Sequence, residues 1–459
     1  MNIVYITAGA AGMYCGTCMH DNALAAGLMR RGHDVLLLPA YTPTRTDEAN
    51  VASEHIAFGA LNVYLQQKSS FFRRRHRLLD RLLDHPRVLG WVSKLAGSAS
   101  TDAAELGGMT LSMLRGENGY QAVELEKLID TIEELAAPEV VHLSHTLFAG
   151  FARRIKERLG VPVVSSLAGE DLFFDELDDT WRPRVVDELR RRVVDVDAFT
   201  APCRYYADLM SHDYGVAGER VAFVPLGVEA DDLLAIEHPP RRDSDQAPTV
   251  GYLARQAPEK GLHQLIDAFR LLAAEHPSVR LRIAGYLGAK DQAYVDDLRA
   301  RVDDWGLGSR VDWLGEVDRD GKVAFFESLD VFSVPTVYRE PKGRFVAEAM
   351  AAGVPVVQPH HGSFPEWIER TGGGVLVTPG DERALADGLR TLLDDPARRH
   401  ALGAAARAGV RAHHGVDTMC ERMIAFYERV LAGDELGPLH VAHPVAARVD
   451  ETPRRVALG

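Results

Sequence analysis

The chain repeats one rhythm in two long series: an apolar, β-branched run of strand length, then a loop, then a segment with helical spacing. In the first series the runs fall at residues 2–7, 34–38, 140–145, 161–164, 198–200 and 221–225; in the second at 250–254, 279–284, 311–314, 331–334, 354–358 and 374–377. Runs that are apolar throughout belong to strands covered on both faces, and the helices between them supply the crossovers that parallel strands need. The expected fold is α/β, with two doubly wound, Rossmann-like domains facing a central cleft, where ligands bind beyond the carboxyl ends of the strands.

A length of 459 residues suits two or three domains. Residues 1–228 are read as the N-terminal domain, with a basic helical insertion at about 45–135. Residues 229–248, acidic and then rich in Pro, Arg and Asp, have linker chemistry. Residues 249–415 are the second domain, 416–432 a last amphipathic helix, and 433–459 an irregular tail. A net charge of −14 excludes a general nucleic-acid binder. Four cysteines are too few for a disulfide framework. The start MNIVYITAG has no leader character and no run reaches membrane-spanning length, so a cytoplasmic protein is expected. Residues 68–94 carry eight Lys or Arg against two acids, with Phe71, Leu78 and Leu82 on one helical face. Such an element packs its apolar side on the parent domain, or lies on an anionic membrane surface at the inner face, or receives a phosphorylated acceptor.

Chemistry concentrates in the second half. In EPKGRFVAEAMAAG (340–353), Glu340 lies in the loop after a strand and Glu348 one turn inside the following helix. The helix start between them offers N–H groups and a partial positive charge, which favour phosphate. A nucleotide-sugar, with hydroxyls at both ends and phosphates between, matches this layout; the plainer account is two solvated acids. In RQAPEKG (255–261), Arg255 and Lys260 follow the strand at 250–254, where two cations can neutralise a leaving diphosphate without metal. In the first half, a Gly-rich loop runs from the first strand to a helix and contains Gly16.

These segments, with IAGYLG (283–288), WLGEV (313–317), AGVPVV (352–357), GSFPEW (362–367) and the E-x7-E spacing, resemble the retaining GT-B glycosyltransferases of family 4. The resemblance covers nearly all of residues 1–432. It implies that Glu348 binds ribose hydroxyls and Glu340 the transferred sugar. It also implies that Arg255 and Lys260 hold the diphosphate, that Lys342, Gly343 and Arg344 contact sugar or phosphate, and that Gly16 lets its loop approach the donor. By the same resemblance, transfer of a hexose retains configuration without a protein nucleophile, metal or cofactor. The partners are the nucleotide-diphosphate-sugar donor and an unidentified glycan, lipid or small-molecule acceptor, and helix 416–432 crosses back to the first domain.

The sequence departs from that pattern in places. Ala168 stands where many members carry a His, although Asp171 keeps the matching acid; Asp171 and His145 are the acceptor-side candidates. Lys342 and Arg344 replace apolar or aromatic residues and are expected as solvated side chains, or as partners of an acidic sugar or phosphorylated acceptor. Leu226 replaces a common Asn. Cys15-Gly16-Thr17-Cys18 is a CxxC at a helix start, read as small residues near the donor or as a redox or metal-binding pair. Asp195-Val196-Asp197 has the look of a metal-binding DxD but sits between a helix and the strand at 198–200, inside the first domain, and is read as chance. His142, His360 and His361 sit at strand ends as structural residues. Two rivals remain: a nucleotide-sugar epimerase of the same architecture, and a non-catalytic nucleotide-sugar-binding protein.

Overall fold

The computed structural model describes residues 1–9, 15–58, 66–67, 103–236 and 247–436. The basic stretch 68–94, most of the tail and the middle of the Gly-rich loop lie outside the described residues.

The first sheet comprises β1 (Asn2–Thr7), β2 (Asp34–Pro39), β3 (Val140–Leu143), β4 (Val163–Ser166), β5 (Ala198–Ala201) and β6 (Val221–Phe223) in the order β2-β1-β3-β4-β5-β6. The second comprises β7 (Thr249–Leu253), β8 (Arg280–Ala284), β9 (Val311–Gly315), β10 (Val331–Phe332), β11 (Val356–Pro359) and β12 (Gly374–Val377) in the order β12-β11-β10-β7-β8-β9. Every strand pair is parallel. The β-branched runs are buried on both sides, as the absence of polar alternation requires: Val4, Ile6, Val141 and Val163 lie in one core cluster, Val250, Ile283, Val331 and Val356 in another.

The strand order reverses beside β1 and β3 in the first sheet and beside β7 and β10 in the second. A crevice opens beyond the carboxyl ends at such a reversal. The loops leading to Gly16, His145, Lys260 and Glu340 all leave these four strands, so topology alone sends the candidate residues to switch points.

Two expectations need correction. β10 spans two residues rather than 331–334: Ser333 N still donates to Gly251 O at 3.0 Å, but Thr336 N turns back onto Val334 O at 2.8 Å and ends the pairing. Within the expected linker, Asp231–Leu234 is a short helix, and Ala230, Leu233 and Ile236 are buried in the second core. Their three-residue spacing puts one apolar face inward despite the acidic neighbours.

The helix Val416–Ala432 lies against the helix Gly16–Arg30. Val416, Met419, Cys420, Met423, Phe426 and Tyr427 form its buried face and join Ile3, Tyr5, Leu24 and Leu28 in one cluster. The end of the chain's described part thus braces the first sheet.

Candidate functional site

The helix Arg344–Ala351 starts at Gly343, whose φ of 71° is a left-handed conformation that glycine adopts without steric cost. This turn folds the preceding loop back so that Glu340 is buried. One oxygen, Glu340 Oε2, takes the Lys260 ammonium at 2.8 Å and the Tyr338 hydroxyl; the other, Oε1, accepts from the backbone N–H groups of Lys342 and Gly343, each at 3.2 Å. Burial alone would raise this carboxyl. Lys260, the Tyr338 hydroxyl and the Gly343 N–H outweigh it and hold the carboxyl down at about 2. Glu340 is therefore an anion at any working pH, an acceptor of hydrogen bonds and not a proton donor.

Lys260 reaches Glu340 because the next residue, Gly261, also has φ of 71° and presses on the end of the second sheet; a Cβ there would stand 1.8 Å from Pro335 O. The ammonium lies over the rings of Tyr338 and Phe345, 4.8 and 5.4 Å from their centroids. Arg255 shares this loop, but its guanidinium is engaged with Glu259 and approaches Asp291 at 3.9 Å.

Glu348, one turn into the helix, accepts from Lys322 Nζ at 3.0 Å and Arg344 Nε at 3.1 Å. Both cations reach on to the first domain: Lys322 to Asp47 at 2.5 Å and Arg344 to Glu48 at 2.6 Å. These five side chains are a buried ion cluster that joins the two domains. Burial raises the Glu48 carboxyl despite Arg344. At Asp47 burial acts in the same direction, but Lys322 outweighs it and the carboxyl is lowered.

The expectation of solvated Lys342 and Arg344 side chains is thus overturned. Arg344 is buried because acids from its own helix and from the opposite domain neutralise it. Lys342 crosses the cleft and donates to the hydroxyl of Thr17 at 2.9 Å, beside Gly16. Gly16 itself is exposed, and a Cβ there would meet no described atom within 4 Å.

On the first-domain wall, His145 follows β3 and packs on Phe148 with 4.2 Å between ring centroids. Among the described residues its Nδ1 has no hydrogen-bond partner although buried, and burial lowers its pKa. Asp171 Oδ1 is buried without a partner in the same sense, and burial pushes this carboxyl up to about 6. Glu170 ties the two loops together. It accepts from the Thr146 N–H at 2.7 Å and hydroxyl at 3.1 Å, the Ala168 N–H at 2.8 Å, the Gly169 N–H at 2.9 Å and the Tyr206 hydroxyl at 2.8 Å.

The remaining candidates lie elsewhere. His142 is buried between Tyr427 and Ser166, at 2.6 and 2.8 Å. Asp195 pairs with Arg153, and Asp197 with Lys156. Leu226 is buried in the second core. His361 Nε2 lies 3.0 Å from Thr336 O, and His360 is exposed. Among the described residues no cluster of three or more His, Cys, Asp or Glu is arranged to hold a metal ion.

Residues 20–227 match the glycosyl transferase 4-like domain, and residues 236–409 match the glycosyl transferases group 1 family. The chain belongs to the glycosyltransferases.

Among relatives of this glycosyltransferase, a GDP-mannose-dependent alpha-(1-6)-phosphatidylinositol monomannoside mannosyltransferase of Mycobacterium tuberculosis is 30% identical over 55% of this chain and 66% of its own length. A 2-deoxystreptamine glucosyltransferase of Streptomyces kanamyceticus is 28% identical over 63% of this chain and 77% of its own. The matches to the phosphatidyl-myo-inositol mannosyltransferases of M. leprae and M. tuberculosis span only about half the length of those relatives, 54% and 55%. In three dimensions, the sucrose-phosphate synthase of Thermosynechococcus elongatus superimposes with a TM-score of 0.66 at 19% identity, over 95% of this chain and all of that one. Anabaena HepE, solved with UDP and glucose, gives 0.64 at 19% identity, over 93% of this chain and 99% of that one. The fold of the glycosyltransferase is accordingly GT-B.

The motifs locate Glu340, Lys260 and Glu348, and the structure brings all three to the start of one helix. They give no sign of Asp47, Glu48 or Lys322, which sit in segments without a motif and meet only across the cleft. Tyr338 and Glu170 stand next to motif residues, but their roles depend on which way each side chain turns.

Proposed function

We propose that this glycosyltransferase transfers a hexose from a nucleoside diphosphate sugar to a hydroxyl acceptor, with retention of configuration and without metal. The observation that carries the reading is the permanently charged Glu340, gripped by Lys260 and by two N–H groups where the helix begins, with Glu348 one turn further on. An acid fixed as an anion is suited to accepting hydrogen bonds from sugar hydroxyls. Glu348 is placed to take ribose hydroxyls in the same way.

Charge on the departing diphosphate is stabilised by Lys260, by Arg255 once drawn away from Glu259, and by Lys342. The ammonium of Lys342 is held by a neutral hydroxyl, Thr17, so its charge is available to the ligand. Gly16 leaves room for that diphosphate to approach the first domain. The acceptor hydroxyl enters from the side of His145 and Asp171, and the leaving phosphate oxygen takes its proton as the new bond forms.

GDP-mannose is the first donor to test, since relatives are named for it. The four sequence relatives named above each carry a cyclitol in their names, inositol or 2-deoxystreptamine, which makes a cyclitol hydroxyl the first acceptor class. The lipid among them favours a role at a membrane surface for residues 68–94. The test is a panel of GDP-, UDP-, ADP- and TDP-sugars with inositol-type and aminocyclitol acceptors in the presence of EDTA. The expected result is an α-linked product that Lys260→Ala and Glu340→Ala abolish. Nucleotide release or epimer formation that needs no acceptor would refute transfer.

A further inference from the structure

Cys15 and Cys18 take no part in the contacts described so far, yet they stand together at the edge of the cleft. Cys15 is the cap residue of the Gly16–Arg30 helix, with extended backbone angles of φ −112° and ψ 125°, and Cys18 lies in the first helical turn. That spacing sets both side chains on the same first turn, at the start of one helix. Cys15 is half-buried, whereas Cys18 is 1% exposed. We propose that Cys15 and Cys18 are a redox-active pair, in which Cys15 attacks a low-molecular-weight disulfide and Cys18 resolves the adduct.

The surroundings divide the two roles. The Cys15 sulfur is stabilised as a thiolate first by the Cys18 thiol, against its own burial, then by the N–H groups of Cys18 and Thr17 and by the Lys342 ammonium; together they bring it down to about 6. Cys18 is raised by its interaction with the Cys15 sulfur, by burial and by nearby Asp21, so it keeps the proton until Cys15 has reacted. The other two cysteines lack this arrangement: the Cys203 thiol donates to Pro341 O at 3.2 Å, that of Cys420 lies 3.8 Å from Leu24 O, and burial raises both.

In the first step the Cys15 thiolate bonds to one sulfur of the small disulfide, and the other sulfur leaves as a thiolate. In the second, Cys18 bonds to the Cys15 sulfur and displaces the second small thiol. Of the two departing thiolates, one takes the Cys18 proton and one a proton from water. The protein pair is oxidised by two electrons and the small disulfide is reduced to two thiols. The new bond closes a ring over Gly16 and Thr17, the residue that Lys342 touches, so oxidation acts directly on the loop facing the donor side.

The test is a thiol count by maleimide labelling and mass spectrometry on the full chain after incubation with oxidised glutathione. The wild type is expected to lose two of its four thiols and to yield a peptide linking Cys15 to Cys18. Cys18→Ser is expected to retain one glutathione on Cys15, and Cys15→Ser none. Alkylation of wild-type Cys15 should rise with pH around a midpoint near 6, against about 8.5 for an ordinary cysteine. Four free thiols in the wild type after incubation, or an adduct on Cys18 in Cys15→Ser, would overturn the proposal; the wild-type count requires no variant to fold.

Discussion

Glu340→Gln keeps the shape of the side chain, removes its charge and leaves the half-buried Lys260 ammonium without an acid. In the folded chain the Glu340 carboxyl is held at about 2 against an ordinary 4.5. At 1.36 kcal/mol per pH unit this gap corresponds to about 3 kcal/mol of stability, the low end of the ~3–5 kcal/mol lost on breaking a buried ion pair. The sign follows from a depressed folded value: the stabilisation is complete above pH 4.5 and is lost as pH falls from there through 2. Urea unfolding monitored by tryptophan fluorescence should place the variant about 3 kcal/mol below the parent at pH 7. The difference should be about 1 kcal/mol smaller at pH 3.5, because the parent loses its advantage while Gln does not titrate. Equal differences at the two pH values, or a loss under about 1 kcal/mol at pH 7, would refute the account of Glu340 as an anion stabilised by Lys260.

Gly16→Ala adds a methyl group at a helix start where no described atom lies within 4 Å, so the melting temperature should hold or rise slightly while the donor KM rises at least about tenfold; thermal melts and steady-state kinetics measure the two. Lys342→Met removes a cation bonded only to a neutral hydroxyl among the described residues, so it should cost less than about 1 kcal/mol in unfolding. Its kcat should fall roughly 10²–10³-fold, the loss found when one stabilising donor is removed from a developing charge. Asp171 is held up at about 6 by burial, so its contribution to stability declines as pH rises from the ordinary 3.8 through 6. Asp171→Asn should therefore melt higher than the parent at pH 7 and equal to it near pH 3, with transfer impaired at pH 7.

The buried ion cluster gives domain closure a chemical basis. Asp47 and Glu48 come from the first domain, and Lys322, Arg344 and Glu348 from the second. Charges removed from water in this way are tolerated only when each finds an opposite partner, so the cluster favours one relative placement of the two sheets. Because Glu348 is also the proposed ribose ligand, donor binding and closure share the same residues.

Local pattern was enough for the two parallel sheets, because apolar runs, crossover lengths and glycine-marked turns are properties of short segments. It was enough, too, to place the E-x7-E helix and the Lys260 loop at strand ends, since a loop follows its strand wherever the sheet goes. Two residues of β10, the inward helix at Asp231–Leu234 and the buried Arg344 were beyond it. A side chain's charge state and partner depend on what arrives from the far side of the cleft, as Glu48 does for Arg344 and Thr17 for Lys342. Those contacts join segments hundreds of residues apart, and burial and pairing are created only when the two domains meet.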